Sequence, residues 1–561
     1  MCAYVRPPKR GFGIYHDPIY GYIPTAPTIR RALDLPSMQR LRHIKQLSTL
    51  YLVYPGANHS RFEHSLGVYH LADKVYDVLF FKSQSNPDWP PLLPVHKVVL
   101  QLASLFHDLG HGPWSHVFEL FCQFNEDYRR YDHKKVTYKW ITEGMGPYDD
   151  VPHFIREEGV KTAKNWKKYA PKEKWGTIDE SMEIFTPENI ANIALGYPPS
   201  DQRYTFLSNI VSGTFDVDRM DYLRRDALFT GIETGNIDIW EIIQGYTLAK
   251  IDNDKWNAVL STDTALAVEI LLNIRDLVYR QVYYHKTHRS AQEMLIRAMY
   301  DLIDRYPLED LVVMTDEELL KAFEGNQGTA LTKEIASRIR YRAIYEPLPI
   351  NINVSEDLDE IAQERWSEMV FAVPNSDNFM REWLDAEKSL CKQIGLPHEQ
   401  TIIFDLRAVP ITRKDEYDSL NFYDEIKKKR CSLIELEPHL RLTRGTREIL
   451  IDGKRVNSEL TQLYLKEISN LLITLPFEYI NKIIEDCKDE IEVKTREVVD
   501  KQPLIDSIIE SKLDPMMIII QNLVQDFLKL ADQEKRDKIN AKFRLNTNHY
   551  LHEILIDRGI I

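Results

Sequence analysis

The 561-residue sequence predicts a mainly α fold, with a smaller α+β region and a C-terminal helical extension. Three observations lead there. From about residue 28 to 300, apolar residues recur at three- and four-residue spacing between turn signals. After about residue 310 short β-type runs take over, and the C-terminal stretch returns to amphipathic stripes. The expected units are residues 1–310, 311–455 and 456–561.

The elements follow in order. "PLLPVHKVVLQLASLFHDLGH" has a proline-rich entry, an apolar face and a glycine exit, so it reads as a helix that ends at its histidines. "KSQSNPDWPPLLP" before it is a loop, and "NEDYRRYDHKK" after it is a charged connection or helix start. "DTALAVEILLNIRDLVYRQVYYHKTHRSAQEMLIRAMYDLI" keeps helical periodicity over many turns, with a bend expected near its histidines. "EQTIIFDLRAVPITR" and "REILIDGKRV" read as strands, and "IKKKR" as a basic tip. From "SNLLITLPFEYINKIIEDCKDEIEVK" onward the reading is helical, with the apolar stripe serving as core or subunit interface because acidic residues interrupt it.

Composition narrows the function. A formal charge of −14 argues against nucleic acid as the main partner, so a polyanionic substrate needs a local basic pocket. Cys2, Cys122, Cys391, Cys431 and Cys487 are scattered without a CxxC pair, which suggests neither a zinc ribbon nor a disulfide scaffold. A reducing, cytoplasmic setting is expected. No apolar run approaches the roughly 18 residues of a spanning helix, and no membrane association is expected.

"LFHDLGHGPWSH" concentrates imidazole. His107 and Asp108 end a predicted helix, so a neutral imidazole and a carboxylate converge beside it. Such donors suit a divalent cation: manganese, iron, magnesium or zinc. Upstream, "PGANHSRFEHSLGVYHLADKV" places His64 at the head of another helix. Downstream, "FDVDRMDYLRRDALFTG" offers Asp216, Asp218, Asp221 and Asp226. Two histidines and two aspartates leave coordination positions open, as a hydrolytic metal requires. Spacing alone does not choose the aspartate.

The order H…HD…D resembles the HD superfamily of metal-dependent phosphohydrolases. The longer words "QRLRHIKQLSTLYLVYPGANHSRFEHSLGVYHLA", "LFHDLGHGPWSHVFE" and "DVDRMDYLRRDALFTGI" resemble its dNTP triphosphohydrolase branch. The likeness runs from about Asp17 to His288 and weakly on to about residue 430. It implies a helical HD-domain core, a dNTP substrate, and His64, His107, Asp108 and Asp218 as metal ligands. Asp221 and Asp226 would ordinarily pair with Arg224 or Arg225 on a helix surface, although Asp226 is also similar to a family position near the substrate.

Hydrolysis at the α-phosphorus needs an activated water, a clamp on the triphosphate and an acid for the departing 5′ oxygen. His111 lies four residues after His107. Pro113 suits the first turn of a new helix, which brings His116 round as the general acid, with Glu119 at i+3 to orient it. The family usually has aspartate there. His133 matches a family histidine facing the phosphates, followed here by Lys134 where an acidic residue is common, and His111 or His133 is also open to a second metal. Arg61 and Arg219 suit phosphate oxygens. By resemblance Tyr222 and Tyr283 meet the sugar, Arg275 a phosphate, and Gln46 and Leu47 lie beside the sugar.

Vertebrate-type relatives assemble as homo-oligomers that nucleotides activate. Asp34, Gln39, Arg42 and Arg342 match regulatory contacts, whereas Gly13 and Glu346 stand where lysines would fall, so altered or absent activation is expected. Assembly as a dimer or tetramer is expected, and the tail beyond about residue 455 is expected to oligomerise or bind a partner. Two other function classes remain: an HD-type phosphodiesterase or nuclease, and a catalytically silent nucleotide-binding scaffold.

Overall fold

The computed structural model describes residues 13–123, 131–146, 150–169, 175–235, 238–251, 255–302 and 305–351, with 387–405 in part, 421–424, 429–432, 470–494, 504–512 and 551–556 in part. It is mainly helical, as the periodicity predicts. An antiparallel hairpin comes first, β1 (Gly13–Asp17) with β2 (Gly21–Thr25). Gly21 turns it at φ 71°, a region that a Cβ disfavours, and the Asp17 carboxylate accepts the amides of Ile19 and Tyr20. α1 (Pro27–Leu33) and α2 (Pro36–Arg40) each open on proline, whose fixed φ and missing N–H suit a first turn.

α3 (Arg61–Ser83) is started by a reciprocal cap: Ser60 donates its amide and hydroxyl to the Glu63 carboxylate. Most of α3 is buried, which is why it lacks a clean polar face. Against it packs α4 (Pro94–Phe106), with Val68, Leu71 and Val75 meeting a core that includes Val99, Leu102 and Leu105. α5 (His116–Gln123), α6 (His133–Glu143), α7 (Val151–Tyr169), α8 (Trp175–Met182) and α9 (Pro187–Ala194) follow. α10 (Phe206–Val211) and α11 (Val217–Thr230) return the chain to α3. α12 (Ile239–Gln244) then leads into the antiparallel pair β3 (Tyr246–Ile251) and β4 (Lys255–Ser261).

The long helical stretch is interrupted near its histidines, where the sequence predicts a bend. α13 (Ala265–Val278) runs into a π-turn at Tyr279–Tyr283, and α14 (Lys286–Leu302) restarts beyond it. α15 (Leu308–Val312), α16 (Asp316–Glu324) and α17 (Ala330–Tyr341) cover the side of the core nearest α2 and α14.

Besides the N-terminal hairpin, the described strands form two small sheets. β5 (Glu346–Asn351) and β6 (Ile403–Asp405) flank β9 (Asn470–Leu475), and β7 (Asn421–Asp424) with β8 (Lys429–Ser432) extends the β3–β4 pair through a parallel β4–β7 contact. This corrects one sequence expectation: "NLLITL" is a central strand rather than helix. A short apolar run with two polar neighbours has no decisive period, and its antiparallel partners are remote in sequence. The helix Phe477–Lys494 begins just after it. "REILIDGKRV" lies outside the described residues, while Ile403–Asp405 of "EQTIIFDLRAVPITR" is strand. No described helix is long and apolar enough to cross a membrane.

Candidate metal centre and active site

Three helices bring the predicted ligands together. α3 supplies His64 on its first turn, α4 ends at Phe106 so that His107 is its C-cap and Asp108 follows, and α11 supplies Asp218. The close packing of α3 on α11 depends on Gly67. A Cβ there would fall 1.8 Å from an Asp221 carboxylate oxygen. Asp218 Oδ1 lies 3.0 Å from His64 Nε2 and 3.7 Å from His107 Nε2. Asp108 Oδ1 lies 3.3 Å from His107 Nε2, and Asp108 Oδ2 lies 3.7 Å from His64 Nε2.

Both imidazoles are set with Nε2 inward. His64 Nδ1 is 2.8 Å from an Asp221 oxygen, and His107 Nδ1 is 2.8 Å from the Ser104 carbonyl, so each Nδ1–H donates outward and fixes the tautomer. His107 Nε2 is buried and, facing the Asp108 and Asp218 carboxylates, makes no hydrogen bond among the described residues, as a nitrogen reserved for a cation would. His64, His107 and Asp218 bring their ligand atoms within 4.8 Å of one another and Asp108 stands beside His107, so the donors fit a divalent metal. Burial acts against a charged His64, but the carboxylates of Asp218 and Asp221 prevail and push it up to about 10. Burial raises Asp218 and Asp108, yet facing imidazoles hold both below the usual carboxylate range, with Arg61 adding to the effect on Asp108.

The four downstream aspartates separate by role. Asp216 caps α11 by accepting the Arg219 amide, and burial pushes it up to about 7 despite Arg219. Asp221 pairs with Arg225, as one sequence reading had it, but the pair is fully buried and not at the surface. Arg225 reaches on to Asp17, tying the N-terminal hairpin to the group that orients His64. Asp226 is buried too, receiving His59 Nε2 at 2.8 Å and the Tyr283 hydroxyl. Neither Asp221 nor Asp226 is the surface salt bridge that ordinary helix spacing suggests.

A second imidazole group stands beside the first. The Glu119 carboxylate spans His116 and His133, accepting His116 Nδ1 at 2.8 Å and also bonding His133 Nδ1. His111 stacks on His133 with ring centroids 4.2 Å apart, and its Nε2 lies 3.3 Å from Asp108. Burial, aided by Arg61 and His133, keeps His111 well below its ordinary value and therefore neutral. Burial opposes ionisation of Glu119, but its two histidine hydrogen bonds hold it far below the carboxylate range. One expectation changes: Pro113 precedes the new helix rather than lying in its first turn. Trp114 and Ser115 intervene with positive φ, and α5 begins at His116. Gly110 lets α6 approach this turn, since a Cβ there would lie 2.4 Å from the His133 carbonyl and the Thr137 amide.

Arg61 is buried between Asp108 and Ser115, while its Nη2 has no hydrogen-bond partner among the described residues. Gln46 Oε1 is likewise buried without a hydrogen-bond partner among the described residues, with Leu47 next to it half-buried. Arg219 is half-exposed and reaches the Thr214 carbonyl, Tyr222 is half-buried with its hydroxyl pushed up by burial, and Arg275 lies 5.3 Å from the Tyr279 ring. The expected regulatory residues lie elsewhere. Arg42 covers the Phe62 ring and donates to Gln39, Asp34 ends α1, and Arg342 takes φ 58° at the end of α17 and donates to the Leu52 carbonyl. At Gly13 the Arg30 guanidinium occupies the space a side chain would fill. A cavity of about 470 Å³ beside Arg42, Lys45, Trp114, Asp316 and Arg340 includes none of the candidate ligands. His59 and Ser115 were missed in the sequence; "NHSRFEH" held the only hint of the former.

Comparisons with known proteins bear on the same segments. The description "HD domain" matches residues 61–225, and "HD associated region" matches 237–368. The chain is 32% identical over 290 residues to the human protein named deoxynucleoside triphosphate triphosphohydrolase SAMHD1, covering 51% of this chain and 44% of that one. It is 26% identical over 366 residues to the uncharacterized protein YwfO of Bacillus subtilis, covering 61% and 72% respectively. The chain spans about half the length of the first curated relatives it matches. A solved structure of a hypothetical protein from Aquifex aeolicus shares the fold at a TM-score of 0.51 and 24% identity, covering 83% of this chain and 97% of that one. With the HD domain, its associated region and the His107–Asp108 doublet facing His64 and Asp218, the chain belongs to the HD-domain family.

Proposed function

We propose that this protein is a metal-dependent deoxynucleoside triphosphate triphosphohydrolase, converting a dNTP and water to a deoxynucleoside and inorganic triphosphate. The observation that supports it is the pairing of two imidazole groups. His64 and His107 present Nε2 to Asp108 and Asp218, and His111, His116 and His133 gather at Glu119 alongside. His64, His107, Asp108 and Asp218 hold the metal, which is manganese, iron, magnesium or zinc. When bound, the metal supplies Lewis acidity and lowers the pKa of water.

The chain's own groups do the rest. Water oxygen bonds to the α-phosphorus while the bond to the 5′ oxygen breaks, and the departing oxygen needs a proton. Glu119 holds His116 by Nδ1, leaving Nε2 as the nitrogen that donates it. Neutral His111 and the Glu119-held His133 line the phosphate side, and Arg61 offers its Nη2 to a phosphate oxygen. Arg219 and Arg275 complete the clamp. Gln46, Leu47, Tyr222, Tyr283 and Asp226 surround the sugar, with Asp226 fixed from both sides by His59 and Tyr283. We also infer a soluble cytoplasmic homo-oligomer, with Asp34, Gln39, Arg42 and Arg342 placed for any nucleotide activator.

The test is ion-pair chromatography of purified protein with each dNTP and NTP, in manganese and separately in magnesium, beside His107→Ala. Deoxynucleoside with triphosphate is expected and is expected to vanish in the variant. Intact nucleotides throughout, even in dNTP mixtures, would sink the reading in favour of a nuclease or a silent scaffold.

A further inference from the structure

The turn between the two imidazole groups has a backbone bond of its own, from the Ser115 amide to the Gly112 carbonyl at 3.2 Å, but side chains from outside it hold the same residues. Trp114 and Ser115 both adopt the left-handed region, at φ 60° and 56°, where side-chain-bearing residues are disfavoured. Proline, tryptophan and serine do not favour that region, and the Ser115–Gly112 bond closes the turn without calling for two such residues, so outside contacts matter. The contacts come from the segment just before and into α16. Asp316 is buried, and its two oxygens accept two separate backbone amides: Oδ1 that of Trp114 at 2.6 Å, and Oδ2 that of Lys45 at 2.9 Å. Ser115 closes the same loop by donating to the Lys45 carbonyl at 2.7 Å.

Arg40 grips the other end of the turn. Its guanidinium donates to the His111 carbonyl at 2.9 Å and to the carbonyls of Val312, Val313 and Met314. Segment 312–316 is thereby fastened at both ends to residues 111–115, one end through a cation on carbonyls and the other through a carboxylate on amides. Ser115 Oγ also accepts Arg61 Nε at 2.8 Å, and Arg61 bonds Asp108. A path of hydrogen bonds thus runs from α16 to a candidate ligand, and α5 starts at His116 directly beyond the clamped residues.

We propose that Asp316 is a positioning residue: by holding the Trp114 and Lys45 amides it sets the turn that aims His116 and seats Arg61 against Asp108. It touches no reacting atom. The conformational part stands by itself, whereas the catalytic part rests on the triphosphohydrolase reading.

Asp316→Asn keeps the shape but turns one acceptor into a donor facing an amide N–H. Hydrogen exchange of the full-length protein, read over peptides covering 110–118, is compared among wild type, Asp316→Asn and Glu318→Ala. Glu318 caps the same helix through Thr315 without touching the turn, so it reports what loosening α16 does by itself. Faster exchange at 110–118 in Asp316→Asn alone is expected, with kcat on a dNTP lowered roughly ten- to a hundredfold, KM changed far less and bound metal retained. Unchanged exchange, faster exchange with unchanged kcat, or equal effects in Glu318→Ala would each overturn the proposal. If wild type cleaves no dNTP, the triphosphohydrolase reading fails and the exchange comparison alone decides for or against the clamp.

Discussion

At the scale of single residues, the centre is governed by which nitrogen each histidine offers. Asp221 takes the Nδ1–H of His64, and the Ser104 carbonyl takes that of His107, so both rings reach the centre by Nε2 without rotating. Removing such a partner frees the ring to flip and to change tautomer, which ordinarily costs ten- to about a hundredfold in metal affinity. Asp221→Asn is therefore expected to lose metal at about that factor lower chelator resistance, read as metal content after dialysis against graded chelator. Wild-type retention would show that Asp221 serves Arg225 and not His64. Glu119 illustrates a gain in reach. A carboxylate one methylene longer than the family's usual aspartate meets His116 and His133 together.

At the scale of elements, α4 depends on a histidine that must stay neutral. His96 sits at the third position of the helix, accepts the Leu93 amide through Nδ1, and lies against the Tyr204 ring at 3.9 Å. Burial pushes it down to about 3, with Arg203 adding and Asp201 opposing. Below the unfolded value of about 6.5 the unfolded chain takes up a proton that the folded one refuses. Stability from this group is therefore full above that pH and falls as pH drops through the window toward 3. The loss between pH 7 and 5 is roughly 2 kcal/mol. His70 is shifted the same way, to about 4, mainly by burial. His96→Gln keeps an acceptor at the third position but cannot protonate, so its stability is expected to fall by about 2 kcal/mol less than wild type between those pH values. Denaturant titrations at both pH values measure it, and parallel pH profiles would count against it.

At the scale of the whole molecule, a buried ion group links the helical core to residues beyond the 305–351 segment. Arg297 of α14 donates to Glu293 on the same helix and takes Glu387 at 2.8 and 2.7 Å through Nε and Nη2. All three are buried, and the two carboxylates with burial opposing keep Arg297 charged. Arg297→Met takes the guanidinium away from Glu293 and Glu387, and breaking a buried pair on one side ordinarily costs about 3–5 kcal/mol. The double variant Arg297→Met, Glu387→Leu is expected to recover half or more of that loss, since a paired charge replaced by apolar volume costs little. Equilibrium unfolding of the three proteins decides it; a single variant within about 1 kcal/mol of wild type would show the group to be solvated in solution.

By itself the sequence determined the helical class, because a 3.6-residue period survives without any knowledge of neighbours. It also placed His64 at a helix head and His107 at a helix end, since caps and terminators are local chemistry: Ser60 with Glu63, and Phe106 running into the glycines. Only the tertiary structure separated the four aspartates. They lie within three turns of α11 and its cap, and which two face the nitrogens of His64 depends on how closely Gly67 lets α11 approach α3. Asn470–Leu475 became a strand for the same kind of reason, as β5 and β6 arrive from far along the chain to pair with it. The left-handed turn at Trp114 and Ser115 is the sharpest case. The Ser115–Gly112 bond within it is local, but Asp316 and Arg40 hold it from 202 and 71 residues away in sequence, respectively. Periodicity and capping are properties of a few neighbouring residues and so can be read from the chain, whereas contacts across that distance exist only once the chain has folded.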